Sequence, residues 1–160
     1  MMKITHIAIA AAIALSAGQA MARDNGTVAP PSAGAYGPMS SADHNKDGTV
    51  TYDEWQDFLR DGPYRRYGFL IYFDMLDTNS DGNLDAGERA KAEPRDTYDD
   101  VDFNGNGLVS RAEAEKQVAG RPYRELPGEE FFALVDLDGN NEISPNELQS
   151  AQDKGLLPKG

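Results

Sequence analysis

The 160-residue chain has no cysteine and only two histidines, His6 and His44. Without thiols no disulfide and no lipid-bearing cysteine can form. His44, the one histidine beyond the first 22 residues, sits in an acidic loop at a place whose side chain normally points to solvent, and with no cysteine or histidine-supported serine constellation the chain reads as a non-enzyme. Basic residues are scarce as well: 15 Lys and Arg face 27 Asp and Glu, for a net charge of −12. Such a balance argues against nucleic acid or an anionic membrane as partner. Nor is there a long apolar run, since the most apolar stretch, Ile4 to Leu15, is well short of the ~20 residues that cross a bilayer.

What that stretch does fit is a signal peptide over residues 1–22. Lys3 gives a basic start, the apolar stretch follows, and Ala20-Met21-Ala22 is a small-x-small site with cleavage after Ala22. The expected location is the periplasm or the exterior of a bacterial cell, with no membrane association after cleavage. Residues 23–38, with Pro30-Pro31, Gly34, Gly37 and Pro38, read as a flexible leader.

Beyond the leader one acidic spacing recurs four times. Loop one spans 43–54 with Asp43, Asn45, Asp47, Thr49, Thr51 and Glu54; loop two spans 77–88 with Asp77, Asn79, Asp81, Asn83, Asp85 and Glu88. Loop three spans 102–113 with Asp102, Asn104, Asn106, Leu108, Ser110 and Glu113; loop four spans 136–147 with Asp136, Asp138, Asn140, Glu142, Ser144 and Glu147. A hard divalent cation takes six to eight oxygens at about 2.3–2.6 Å, so a chain that holds one must offer an oxygen at every second residue. Here the first, third and fifth places offer side chains, the seventh (Thr49, Asn83, Leu108, Glu142) its carbonyl, the ninth a hydroxyl or carboxylate, and the twelfth a bidentate glutamate. The sixth place, where the chain turns sharply, is Gly48, Gly82 and Gly107, but Asn141 in loop four. Asn tolerates the left-handed conformation better than other residues with a Cβ, so a small affinity loss is expected there.

Each loop also announces a helix. Thr51-x-x-Glu54, Asp85-x-x-Glu88, Ser110-x-x-Glu113 and Ser144-x-x-Glu147 are capping boxes. The leading Asp residues lie 34, 25 and 34 positions apart, so loops one and three, and loops two and four, are each offset by 59. The same offset carries Pro63-Tyr64-Arg65 onto Pro122-Tyr123-Arg124 and Tyr72-Phe73 onto Phe131-Phe132, which marks a tandem duplication. The Pro-Tyr-Arg repeats read as turns between successive loop units.

These loops resemble the EF-hand superfamily, and four of them in two pairs are similar to calmodulin and the bacterial calmodulin-like proteins. The resemblance implies an all-α fold of two paired helix-loop-helix units, with a short β-bridge between paired loops at their eighth places, Val50, Leu84, Val109 and Ile143. It implies calcium as the cofactor, up to four ions. The expected division is sequential: residues 39–93 as the first pair, holding loops one and two, and residues 94–160 as the second, holding loops three and four. In the first pair Trp55, Phe58 and Leu59 should face Phe69, Leu70, Phe73 and Leu76. In the second, Val118 should join Phe131, Leu134, Val135, Leu148 and Ala151. Gly37 and Pro38 limit any helix entering loop one to its last turn.

The function so implied is calcium binding by an exported protein, acting as buffer, sensor or calcium-stabilised binding module, with an unidentified protein as a further partner. A Met-lined peptide groove is not expected, since only Met39 and Met75 follow the signal. The alternative is a lanthanide-selective protein, because the 25-residue step from loop two to loop three is similar to that of lanmodulin; that family's proline at the second loop place is replaced here by His44, Thr78, Phe103 and Leu137. Carboxylates at ligand places number three, four, two and three along the four loops, so loop two should bind tightest and loop three weakest.

Overall fold

The computed structural model describes residues 36–159. The signal peptide and most of the leader therefore lie outside the described residues. Short helices dominate. The first hand has α1 (Pro38–Ala42), β1 (Val50–Thr51) and α2 (Tyr52–Arg60); α3 (Pro63–Tyr67) leads to the second hand, α4 (Phe69–Leu76), β2 (Asn83–Leu84) and α5 (Ala86–Arg89). The third hand is entered by a 3₁₀ turn, Asp99–Val101, and continues with β3 (Val109–Ser110) and α6 (Arg111–Val118). After α7 (Pro122–Glu125) the fourth hand comprises α8 (Gly128–Val135), β4 (Glu142–Ile143) and α9 (Pro145–Asp153).

The helices begin where local chemistry starts them. All four capping boxes form, each with Thr51, Asp85, Ser110 or Ser144 accepting from the glutamate N–H three residues on. Such a cap is typically worth ~1 kcal/mol. Pro38, Pro63, Pro122 and Pro145 open α1, α3, α7 and α9, where a missing N–H costs nothing. The Pro-Tyr-Arg repeats thus form short helices rather than simple turns. Both odd hands are entered weakly, by the five residues of α1 and by a single 3₁₀ turn.

The pairing is not the sequential one. Val50 lies opposite Ile143 and Thr51 opposite Glu142, so loop one bridges to loop four. Asn83 lies opposite Ser110 and Leu84 opposite Val109, so loop two bridges to loop three. Each bridge is extended by an equivalent bond, Tyr52 N–H to the Asn141 carbonyl and Arg111 N–H to the Gly82 carbonyl, both 2.9 Å. An inner unit of hands two and three is therefore nested between the halves of an outer unit of hands one and four. The expected division at residues 93 and 94 falls inside the inner unit.

The two cores follow the nesting. Trp55, Phe58 and Leu59 pack with Phe131, Phe132, Val135, Ile143 and Leu148 in the outer core, not with Phe69 and Phe73. Phe69, Tyr72, Phe73 and Leu76 pack with Tyr98, Val101, Val109, Ala114 and Val118 in the inner core. Val118 thus belongs to the inner unit, Leu70 is only partly buried, and Leu134 is exposed. Tyr36, assigned by sequence to the leader, is buried in the outer core, and α1 begins at Pro38.

A physical reason for the nesting lies in three duplicated positions. The 59-residue offset equates Trp55 with Ala114, Phe69 with Gly128, and Met39 with Tyr98. In the outer unit the Trp55 indole N–H donates to the Gly128 carbonyl at 2.8 Å, and Leu59 fills the space that a side chain on Gly128 would need. In the inner unit small Ala114 leaves room for Phe69 and Tyr98, whose rings lie 4.4 Å apart and whose hydroxyl donates to the Phe69 carbonyl at 2.7 Å. Sequential pairing would set Trp55 against Phe69 and Ala114 against Gly128. One core would be overfilled, at ~1–3 kcal/mol, and the other hollowed, at ~2–5 kcal/mol.

Two glycines allow the duplicated junctions to cross. A Cβ on Gly128 would lie 2.2 Å from Leu59 Cδ2 and 2.7 Å from the Arg65 carbonyl oxygen. Gly68, at φ +84°, approaches the opposite junction so closely that a Cβ would lie 2.6 Å from the Glu125 carbonyl oxygen. Any side chain at either position would push the repeats apart.

Candidate metal centre

All four loops are built on one hydrogen-bond scaffold. The first-place aspartate accepts from the sixth-place N–H: Asp43 from Gly48 at 3.0 Å, Asp77 from Gly82 at 2.9 Å, Asp102 from Gly107 at 2.8 Å and Asp136 from Asn141 at 3.0 Å. The third-place side chain accepts from the fifth N–H, through Asn45, Asn79, Asn104 and Asp138, at 2.8–3.1 Å. The fifth accepts from the seventh, through Asp47, Asp81, Asn106 and Asn140. These side-chain oxygens are thereby tied to the backbone of their own loop, which draws the chain into the curl that a multidentate oxygen site requires.

The twelfth-place glutamate closes each curl. One carboxylate oxygen caps its own helix, taking N–H bonds from Thr51, Asp85, Ser110 or Ser144. The other reaches back to the start of the loop: Glu54 to Asn45 N–H, Glu88 to Thr78 N–H, Glu113 to Asn104 N–H, and Glu147 to Leu137 N–H at 2.7 Å. Glu88, Glu113 and Glu147 are buried. These donors act on the charge state. For Glu54 and Glu88 burial alone would raise the carboxyl pKa, but the bonds from Thr51 and Asn45, or from Asp85, Thr78 and Asn79, outweigh it and hold the group below its usual range. Asp102 is held low chiefly by the Gly107 N–H, and Glu113 chiefly by the Ser110 N–H.

Backbone conformation is shared too. The fourth and sixth places are left-handed in every loop, with Lys46 at φ 60°, Ser80 at 59°, Gly105 at 70° and Gly139 at 71°, then Gly48, Gly82, Gly107 and Asn141. Asn141 reaches φ 65° and takes up the glycine turn as its chemistry allows. Loops one and two place a Cβ-bearing residue at the left-handed fourth position; loops three and four place glycine there.

The loops differ in how their carboxylates converge. Among the described residues, Asp136, Asp138 and Glu147 bring ligand oxygens within 4.8 Å of one another. Loop two has more carboxylates, but Asp85 Oδ1 is occupied in accepting the Glu88 N–H at 2.9 Å. Asp43 Oδ1 in loop one is buried with no hydrogen-bond partner. A buried carboxylate oxygen left unpaired is costly, and it fits a site whose missing partner is a cation. Arg89 was not singled out by sequence. It leaves α5 to donate from Nη2 to the Gly107 carbonyl of loop three at 3.1 Å, and its charge also lowers the Asp102 pKa. The short step from loop two to loop three was the available signal, since it brings α5 against the neighbouring loop.

A family model described as EF hand matches residues 39–59, 71–88 and 129–150, stretches that contain loops one, two and four. The three matches support the EF-hand superfamily and indicate calcium binding in general, a role typically non-enzymatic. Loop three, 102–113, lies outside the matched stretches. No curated protein matches the chain. Among the described residues no helix is long and apolar enough to cross a membrane.

Proposed function

We propose that the protein is an exported calcium-binding module that takes up to four ions, two in each nested unit, and is held in its folded form by them. The observation that carries this reading is the single scaffold repeated in all four loops, with the buried, unpaired Asp43 Oδ1 as its sharpest instance. Asp43, Asn45, Asp47, Thr51 and Glu54 would hold the ion of loop one, with the Thr49 carbonyl, and the corresponding places serve in the other three loops. Bound calcium supplies positive charge that offsets carboxylate repulsion in a chain of net charge −12. The chain's own residues do the rest. The closing glutamates link each loop to the helix that follows it, and the β-bridges link loop one to loop four and loop two to loop three. Filling one loop therefore orders its bridged partner.

Export supports a role in abundant calcium, where sites tighter than ~10⁻⁴ M stay filled and act structurally. Chelator-stripped protein titrated with calcium, magnesium and lanthanum, followed by calorimetry and far-UV dichroism, tests this. Calcium uptake near four equivalents with a gain of helix is expected. No uptake at millimolar calcium would overturn the reading. Lanthanum displacing calcium at far lower concentration would favour the lanthanide-selective alternative.

A further inference from the structure

Away from the loops, a cleft of about 410 Å³ opens where α1, α2, α3 and α7 meet. Its walls are aromatic, built from Trp55, Phe58, Tyr64 and Tyr123, and both duplicated Tyr-Arg pairs converge on it, bringing Arg65 and Arg124. The two arginines differ in state. Arg65 is fixed: its Nη1 donates to the Phe58 carbonyl at 2.9 Å and pairs with Asp61 Oδ2 at 3.3 Å, its Nε donates to the Tyr64 hydroxyl at 3.0 Å, and its guanidinium lies 4.1 Å over the Phe58 ring. The Arg124 guanidinium, at the equivalent duplicated position, makes no hydrogen bond or ion pair among the described residues.

Charge decides what such a cleft takes. In a chain with 27 acidic residues, none of the described residues lining the cleft is acidic. With Arg65 paired to Asp61, the Arg124 guanidinium is the uncompensated charge among the described lining residues, and beside apolar, aromatic walls it is complementary to a molecule with a flat apolar body and one negative group. An unpaired guanidinium at the rim is suited to a carboxylate, which it can grip through two parallel N–H bonds. Cations, basic peptides and metal ions are disfavoured there by the same charge.

We propose that this cleft is a binding site for a small aromatic carboxylate, seated against Trp55, Phe58 and Tyr123 with its carboxylate on Arg124. The site shares no ligand residue with the loops.

The probes are 1-naphthylacetate and its neutral counterpart 1-naphthaleneacetamide, titrated into the calcium-loaded full chain by calorimetry. The Trp55 indole N–H resonance serves as a local reporter. The carboxylate should bind about tenfold more tightly than the amide, the worth of one charge-assisted pair. Arg124→Glu, at an exposed position, should abolish that difference while leaving the dichroism spectrum intact. Lys91→Glu, remote from the cleft, should leave both affinities unchanged. Equal affinity for the two probes, undiminished carboxylate binding by Arg124→Glu, or no binding of either probe at millimolar concentration, as when another part of the chain already fills the cleft, would each overturn the assignment.

Discussion

The outer and inner units are built from duplicated hands, yet their cores are filled in opposite ways. The outer core ties one large aromatic, Trp55, to the carbonyl of a residue with no side chain, Gly128, whose open side Leu59 fills. The inner core places Tyr98 and Phe69 side by side and gives up volume at Ala114. In both, a buried aromatic donor ends on the same duplicated carbonyl, that of Gly128 or Phe69. After duplication either even hand offers an odd hand the same bridge and the same apolar face. Complementary volume is what then separates the partners, much as a large residue opposite a small one fixes any packed interface.

The largest effect should come from removing the outer unit's aromatic. Trp55→Ala is expected to cost about 3–5 kcal/mol in the unfolding free energy of the calcium-loaded protein, through a large cavity and the loss of the indole bond to the Gly128 carbonyl. Hydrogen exchange should quicken at Val50 and Ile143 and stay slow at Leu84 and Val109. Equal loss of protection in all four would mean that the two cores behave as one.

Tyr98→Phe asks the matching question of the inner unit. It keeps the ring beside Phe69 but removes the hydroxyl's bond to the Phe69 carbonyl, at about 0.5–1.5 kcal/mol, with Leu84 and Val109 now the amides that lose protection. The phenol is held un-ionised by burial, which raises its pKa well above the usual range, so the bond should persist at alkaline pH.

Acid should separate the units more gently. Glu88, Asp102 and Glu113, all inner, have depressed pKa values, against Glu54 alone in the outer unit. A depressed folded-state pKa means the unfolded chain binds the proton more readily. The stabilisation is complete above the unfolded value near ~4 and is lost as pH falls through the lower folded value. In calcium-free protein, inner amides should therefore lose protection before outer ones as pH drops below about 4. Loss in the reverse order would show that loop hydrogen bonds do not set acid stability.

The smallest change is Asn141→Gly, which relieves a left-handed, exposed residue in loop four. Loop four's calcium affinity should rise by no more than about fivefold, equivalent to ~1 kcal/mol. A fall would mean that the Asn141 side chain supports the loop.

What the sequence made legible was local. The loop spacing, the capping boxes and the weak helix before loop one all depend on residues within a dozen positions of one another, and the structure places them as expected; the helices opened by Pro63 and Pro122 stand where turns were expected. Pairing is different, because hands one and three are copies and the 59-residue offset permits either partner. The deciding contacts join Trp55 to Gly128 and Ala114 to Phe69's core, across long sequence separations. Their signal was nevertheless in the chain: aligning the two halves sets tryptophan against alanine and phenylalanine against glycine. The convergence of the Tyr-Arg repeats on one cleft depends on the same crossing and was hidden with it.

Loop-resolved calcium titration of Glu54→Gln tests the nested pairing most directly. The sixth-place amides of Gly48, Gly82, Gly107 and Asn141 each bond the first aspartate of their own loop and so report on that loop alone. Nested pairing moves the Asn141 midpoint together with that of Gly48 and leaves Gly82 and Gly107 in place. A Gly82 midpoint that moves with Gly48 while Asn141 stays fixed would contradict it.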